Sequence, residues 1–205
     1  MRWYKVKLVT LQMMFSNDTA SIVVDDNSSP YIAAMPGAAN SCLNLIATSV
    51  RHISMSYQLE QDGTKTGIQR YDFNELASDF YSFDDSEIYF EDEYGNYGKA
   101  SNYNIENKSI LLIDGSVKGK WTVHYNAYPD EITEKTKDDY ELPLCEEVAV
   151  LLPFYMASLL YMDDDITAST MYWNRFVILL EEAKETAKKL KRTGYDEFIN
   201  TKGWY

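Results

Sequence analysis

The spacing of apolar positions divides this chain. Ala38, Ala39, Cys42, Leu43, Ile46, Ala47 and Val50 recur at helical intervals and predict one buried stripe. Around Ile53 the period drops to two, with Ile53, Met55, Tyr57 and Leu59 alternating with Ser and Gln. Further strands are predicted at Gly67–Phe73, Glu87–Glu91, Ser109–Ile113 and Lys120–Ala127, with turns at Asp62-Gly63, Glu93–Asn96 and Asp114-Gly115. Asp79 to Asp84 reads as an aromatic loop or strand leading into this region. Pro129 closes it, and Asp130 to Asp139 is a polar linker. The helical period then returns. Val148, Leu151, Leu152, Tyr155, Leu159 and Met162 predict a central helix from Pro143, kinked at Pro153. Asp163-Asp164-Asp165 turns the chain, with Asp165 placed to cap the next helix. Tyr172, Phe176, Leu179, Ala183, Ala187 and Leu190 form that helix's inner face, and Gly194 is expected to end it.

The first fifty residues are less regular. Trp3 to Phe15 has mixed periodicity and reads as a short strand or extended arm leading into a helical turn. Ile22-Val23-Val24 is a strand candidate. Ser29 is expected to cap a helix with Pro30 at its first position, and Pro36-Gly37 to interrupt it. Asn40 and Asn44 lie one turn apart, either as an interhelical polar contact or as the wet edge of the stripe.

These elements predict an α+β fold: a helical bundle of an early helix plus a C-terminal hairpin, with an inserted antiparallel β-sandwich and an extended C-terminal arm. The helical pieces are too short to form separate cores, so they are expected to pack together. The domains are then 1–52 with 130–192 (helical), 53–129 (sandwich insert) and 193–205 (arm). In that arm Tyr195, Phe198, Ile199, Trp204 and Tyr205 are apolar groups beyond the last helix. Docking onto a neighbouring chain or packing back on the chain's own sheet would bury them.

Composition sharpens the picture in three places. The net charge of −13 argues against general nucleic-acid binding, because phosphates need Lys and Arg to replace their counterions. The 17 tyrosines suit half-buried sheet faces and wet interfaces. Cys42 and Cys145 are far apart in apolar contexts and imply no disulfide framework. The N-terminal residues lack a signal-peptide pattern, no apolar run is long enough to span a bilayer, and a cytosolic protein is expected.

Chemistry finds no positive signal. His52 and His124 stand outside any ligand motif. The triple Asp lacks the alternating oxygens and central Gly of a calcium loop. Asp84, Asp85, Glu87, Glu91, Asp92 and Glu93 offer carboxylates but no reason to converge. No catalytic residue, metal or cofactor is expected.

Three segments together resemble the head–tail connector (adaptor) proteins of bacteriophages, including gatekeeper-like ones. They are Tyr31–Asn40 in the early helix, Tyr140-Glu141-Leu142-Pro143-Leu144 opening an apolar helix with Leu152-Pro153, and the acidic corner before a long helix carrying Tyr172 and Phe176. They cover about half the chain; the β-insert departs from the minimal adaptor plan. The resemblance implies a virion structural protein, assembled in the host cytoplasm. It implies a ring of about twelve copies below the portal protein, joining capsid to tail and letting DNA pass without specific binding. Tail or capsid proteins would be further partners, and no membrane is involved. The arm would reach toward the portal, and Glu181, Glu182 and Glu185 would be candidates for a channel-facing acidic wall. Two other readings compete. Tyr89, Tyr94, Tyr97, Tyr103, Trp121 and Tyr125 on a sandwich would suit a carbohydrate- or ligand-binding module. Asp84 and Glu91 would serve a hydrolase.

Overall fold

The structure, a computed structural model, describes residues 1–15 and 20–198, with the side chains of 84–87 and 189–198 outside the description. The elements run α1 (Trp3–Phe15), α2 (Ser29–Ser49), β1 (Ile53–Asp62), β2 (Ile68–Asp72), α3 (Phe73–Leu76), β3 (Phe80–Asp92), β4 (Tyr97–Lys99), β5 (Tyr103–Glu106), β6 (Ile110–Asp114), β7 (Lys118–Ala127), α4 (Glu146–Ala149), α5 (Leu152–Leu160) and α6 (Ile166–Phe198). The fold is α+β. It divides into two compact units, Met1–Arg51 with Pro129–Tyr205, and His52–Tyr128.

In the helical unit α5 is apolar almost all round, and it packs against α1, α2 and α6. The core gathers Trp3 and Val6 from α1, Met35, Ala39, Cys42, Leu43 and Ile46 from α2, Leu152 and Met156 from α5, and Phe176 and Leu180 from α6. The start of α6 is capped as its sequence predicts. Asp165 Oδ1 accepts the N–H groups of Thr167 at 2.9 Å and Ala168 at 3.0 Å.

Two contacts close this unit across the insert. The Asn40 side chain meets the backbone of Ile132 twice: its amide nitrogen donates to the carbonyl and its oxygen accepts the N–H, each at 2.8 Å. Asn40 is therefore a tertiary clamp and not a wet edge, whereas Asn44 is exposed. Ile132 is itself buried in the core. At the other end, Trp3 N–H donates to the Tyr140 carbonyl at 2.8 Å and Leu142 N–H to the Met1 carbonyl at 3.0 Å. Lys7 pairs with Asp138 at 2.6 Å on the same seam.

Several expectations need correction. Trp3–Phe15 is a helix, not an extended arm. Its buried positions Trp3, Val6, Thr10 and Met14 keep helical spacing, but Thr10 hides the stripe by being polar. The Thr10 hydroxyl is satisfied within the helix, donating to the Val6 carbonyl at 2.8 Å. Ile22–Val24 forms no strand, and the Val23 carbonyl instead accepts the Ser28 hydroxyl at 2.9 Å in a local loop. Ser28, not Ser29, holds the N-cap position of α2. Pro36-Gly37 does not interrupt α2. Burial of Met35, Ala38 and Ala39 on either side outweighs the one hydrogen bond that proline removes. The helix expected from Pro143 begins at Glu146 and breaks between Ala149 and Leu152, so that Pro153 falls in the first turn of α5 where its missing N–H costs nothing. Gly194 does not stop α6, which runs to Phe198; one helical glycine costs only about 1 kcal/mol. The arm residues Tyr195 and Phe198 are therefore helical, while Ile199, Trp204 and Tyr205 lie outside the described residues.

The second unit is a sandwich of two antiparallel sheets, ordered β1-β7-β3-β4 and β2-β6-β5. The short strands β4 and β5 add to the predicted set. Inward residues of β7 (Trp121, Val123, Tyr125 and Ala127) pack with Phe73, Phe80, Phe83, Ile88, Leu111 and Ile113. The Trp121 indole N–H, buried there, donates to Gln61 Oε1 at 3.0 Å. β7 begins at Lys118, before the expected Lys120, and its Gly119 lies so close to β3 that a Cβ would sit 2.3 Å from the Glu91 carbonyl oxygen. Three turns are organised by aspartates. Asp62, Asp92 and Asp114 each accept N–H groups from residues just downstream, which holds their carboxyls below the usual range.

The clamp predicts a pH-dependent mutant. Asn40→Asp is expected to cost about 1–3 kcal/mol at neutral pH, read from urea unfolding followed by helical circular dichroism. The carboxylate still accepts the Ile132 N–H but has no proton for the Ile132 carbonyl. Protonation restores that donor, so the deficit narrows as pH falls through the carboxyl range near ~4. A deficit that stays constant over that range contradicts the clamp.

Candidate assembly surface on the last helix

The helix α6 buries one side and carries exposed apolar residues among the polar ones of its other side. Ser169, Phe176 and Leu180 are buried, with Tyr172, Leu179, Ala183 and Ala187 half-buried beside them. The expected inner face is thus present, with Ser169 and Leu180 added to it. The Ser169 hydroxyl donates to the Ser158 carbonyl at 2.8 Å, which lets a polar residue sit in the helix contact. Leu190 lies among the side chains outside the description.

The exposed side carries Ile166 (65% exposed), Trp173 (43%) and Val177 (38%), spaced by seven and then four residues. Such spacing keeps three side chains in one row along a helix. Met171 and Ile178, seven apart, form a second exposed row. Trp173 is held from behind, its ring lying 6.1 Å from Tyr155 and 5.6 Å from Phe176. A large aromatic fixed on one face and open on the other costs little conformational entropy to bury.

The rows begin at a corner made rigid by tyrosines. Tyr172 OH donates to the Met13 carbonyl at 2.5 Å and Tyr161 OH to the Met14 carbonyl. These carbonyls belong to the last turn of α1, where no helical N–H remains to satisfy them. The two rings stack at 6.3 Å with 10° between planes. Tyr31 OH donates to the Asp164 carboxylate, and this bond, with the carboxylate's charge, pushes its pKa up to about 12.

The acidic residues proposed for a channel wall sit further along α6. Glu181 is paired with Lys184 at 2.8 Å and Glu185 with Lys188 at 2.8 Å, so both are partly neutralised on their own helix. Glu182 is exposed beside a groove of about 250 Å³ between α6 and the ends of α2 and α4, lined also by Val50, Arg51, Val150, Leu179 and Ala183. The other readings fare unevenly. Trp121 and Tyr125 lie in the sandwich core, while Tyr94 and Tyr97 are exposed and Tyr97 stacks on Tyr89 at 5.4 Å. Glu91 lies on β3 opposite Lys120, and the side chain of Asp84 is outside the description. Among the described residues no three His, Cys, Asp or Glu side chains converge as metal ligands, and no helix is long and apolar enough to cross a membrane. Burial holds the Cys42 thiol well above the ordinary thiol range, so it stays protonated and inert.

The helical period leaves Trp173, Val177 and Ile178 off the predicted inner face, but only the structure shows them exposed. No family model and no curated protein matches this chain.

The Tyr31–Asp164 bond yields a test of the corner. A phenol whose pKa is raised on folding adds stability that is complete below pH 10 and lost as pH rises through about 12. Thermal melts should therefore show Tyr31→Phe less stable than the parent at neutral pH. The gap should close between pH 10 and 12; a gap independent of pH contradicts the bond.

Proposed function

We propose that this chain is a head–tail connector subunit of a bacteriophage, assembling as a ring of about twelve copies below the portal protein. The ring joins capsid to tail and leaves an axial path for DNA. It works by shape and contact, with no catalytic step. The observation that carries this reading is the pair of exposed apolar rows on α6, in a chain whose net charge is −13. A highly charged surface keeps copies apart, so apolar rows on one element mark where contact is made.

In support, the three segments that resemble connectors fall in one compact unit: Tyr31–Asn40 in α2, Tyr140–Leu144 before α4, and the acidic corner with α6. Each copy would set its α6 rows against the neighbouring copy, a heterologous contact that closes into a ring when the rotation fits. Portal protein would contact one end of that ring and tail or capsid proteins the other. The interleaved Lys184 and Lys188 make α6 a mixed-charge wall, which repels DNA less than Glu181, Glu182 and Glu185 alone. Its place is the virion, after assembly in the host cytoplasm. A sugar-binding role, the alternative, retains Tyr94 and Tyr97 as exposed rings, with Tyr89 and Tyr103 half-buried, and a glycan array tests it.

Negative-stain imaging of the chain with portal protein tests the proposal directly. Rings or ring–portal complexes are expected, and their absence across protein concentrations refutes it. Trp173→Lys should weaken assembly about tenfold or more, since a central Trp in an interface contributes about 2 kcal/mol. Its circular dichroism and melting should stay close to the parent, because the ring is already 43% exposed. Removing residues 199–205 should weaken portal binding more than it lowers Tm; loss of Tm with binding intact contradicts the docking-arm role.

A further inference from the structure

Among the described residues the sandwich has one long sheet edge, β1, with no strand paired to its outer side. β1 is ten residues long and pairs with β7 in ten consecutive steps without a register shift. In an antiparallel pair every second residue turns its N–H and C=O away from the partner, so the outer side presents an unused ladder. The other edges are blunted. β4 has three residues, β5 four and β2 five, and β3 beyond β4 is broken by register shifts. β1 has none of the devices that protect an edge: no proline, no lysine, no bulge. Its acidic residues, Glu60 and Asp62, occupy only the final three positions and already face Lys120 and Lys118 of β7. Ser54, Met55, Ser56 and Gln58 are exposed.

We propose that β1 pairs with β1 of a second copy, antiparallel about a two-fold axis at Tyr57, to form one continuous eight-stranded sheet. The strand complements itself in that register. On the inner face, which β1 shares with Trp121, Val123, Tyr125 and Ala127, Tyr57 meets its own equivalent and Met55 meets Leu59 of the second copy. On the outer face Ser56 meets Gln58 and Ser54 meets Glu60. No like charges stand opposite one another, and the central pair is aromatic, the kind that stabilises cross-strand contacts. The exposed Met55 gains a cover. Two-fold pairing of this type uses each edge up, so it joins two copies and stops. It rests on the insert alone and describes the chain outside the ring, because neighbouring copies within a cyclic ring are not related by two-fold axes.

The test uses the full-length chain carrying Trp173→Lys, so that ring formation does not mask the dimer. Sedimentation should show a monomer–dimer equilibrium. Ser56→Glu/Gln58→Glu places carboxylates opposite each other and should weaken dimerisation at least about fivefold, while Ser56→Lys/Gln58→Glu should restore or tighten it. Both positions are solvent-facing, so folding is preserved in each. Ser56→Cys/Gln58→Cys should form a disulfide dimer on mild oxidation, and Ser54→Cys/Ser56→Cys should not. A monomer at every concentration, equal cross-linking of both cysteine pairs, or a Glu/Glu variant that dimerises like its parent each overturns the proposal. Ring assembly is read separately, by imaging the unsubstituted chain with portal.

Discussion

The helical unit depends on closing a gap in the chain. Its α2 lies before the insert and its α5 and α6 after it, so the halves have no covalent reason to stay in register. Hydrophobic burial brings them together but does not choose one alignment, because it is non-directional. Asn40 supplies direction. Two bonds to one backbone residue, Ile132, fix both position and orientation of the returning segment. The seam from Met1 to Leu142 does the same at the far end with backbone groups alone. With those points fixed, α5 has one place to go, between α1, α2 and α6.

The tyrosines have a use that composition alone does not disclose. Tyr161 and Tyr172 span from the hairpin to the carbonyl end of α1, and Tyr125 reaches from β7 to the Asp79 carboxylate at 2.9 Å. In each case an aromatic body fills space while its hydroxyl satisfies a group that would otherwise be stranded. Burial, reinforced by Asp79, pushes the Tyr125 hydroxyl up to about 12, so it remains a donor at any physiological pH.

Much of this is legible in the chain itself. The α+β class and the main strands follow from changes of period that sheet and helix geometry force on any sequence. The Asp165 cap follows from local chemistry. The failures share one cause: a tertiary contact outweighs a local rule. Thr10 looks like a break in a stripe and is a satisfied core residue. Pro36 looks like a helix breaker and is carried by the packing around it. Gly194 looks like a stop and is too small a penalty to end a 33-residue helix. Asn40 stands as one of a pair of equals, and only the fold separates it from Asn44. The candidate surface is the least legible of all. Periodicity puts Phe176 on the inner face and leaves Val177 off it, but only the structure shows that Ile166, Trp173 and Val177 line up as an exposed row.

The register of the insert's first and last strands bears on how the helical halves meet. Ile53 and Ala127 are paired neighbours, so the chain enters and leaves the sandwich at adjacent points. A module with coincident ends can fold as a unit inserted in another without stretching its host. Its closure returns the chain at Ala127 to the place where the insert began at Ile53. The insert thus shortens the loop that the helical halves must close, from the length of a whole domain to a few residues.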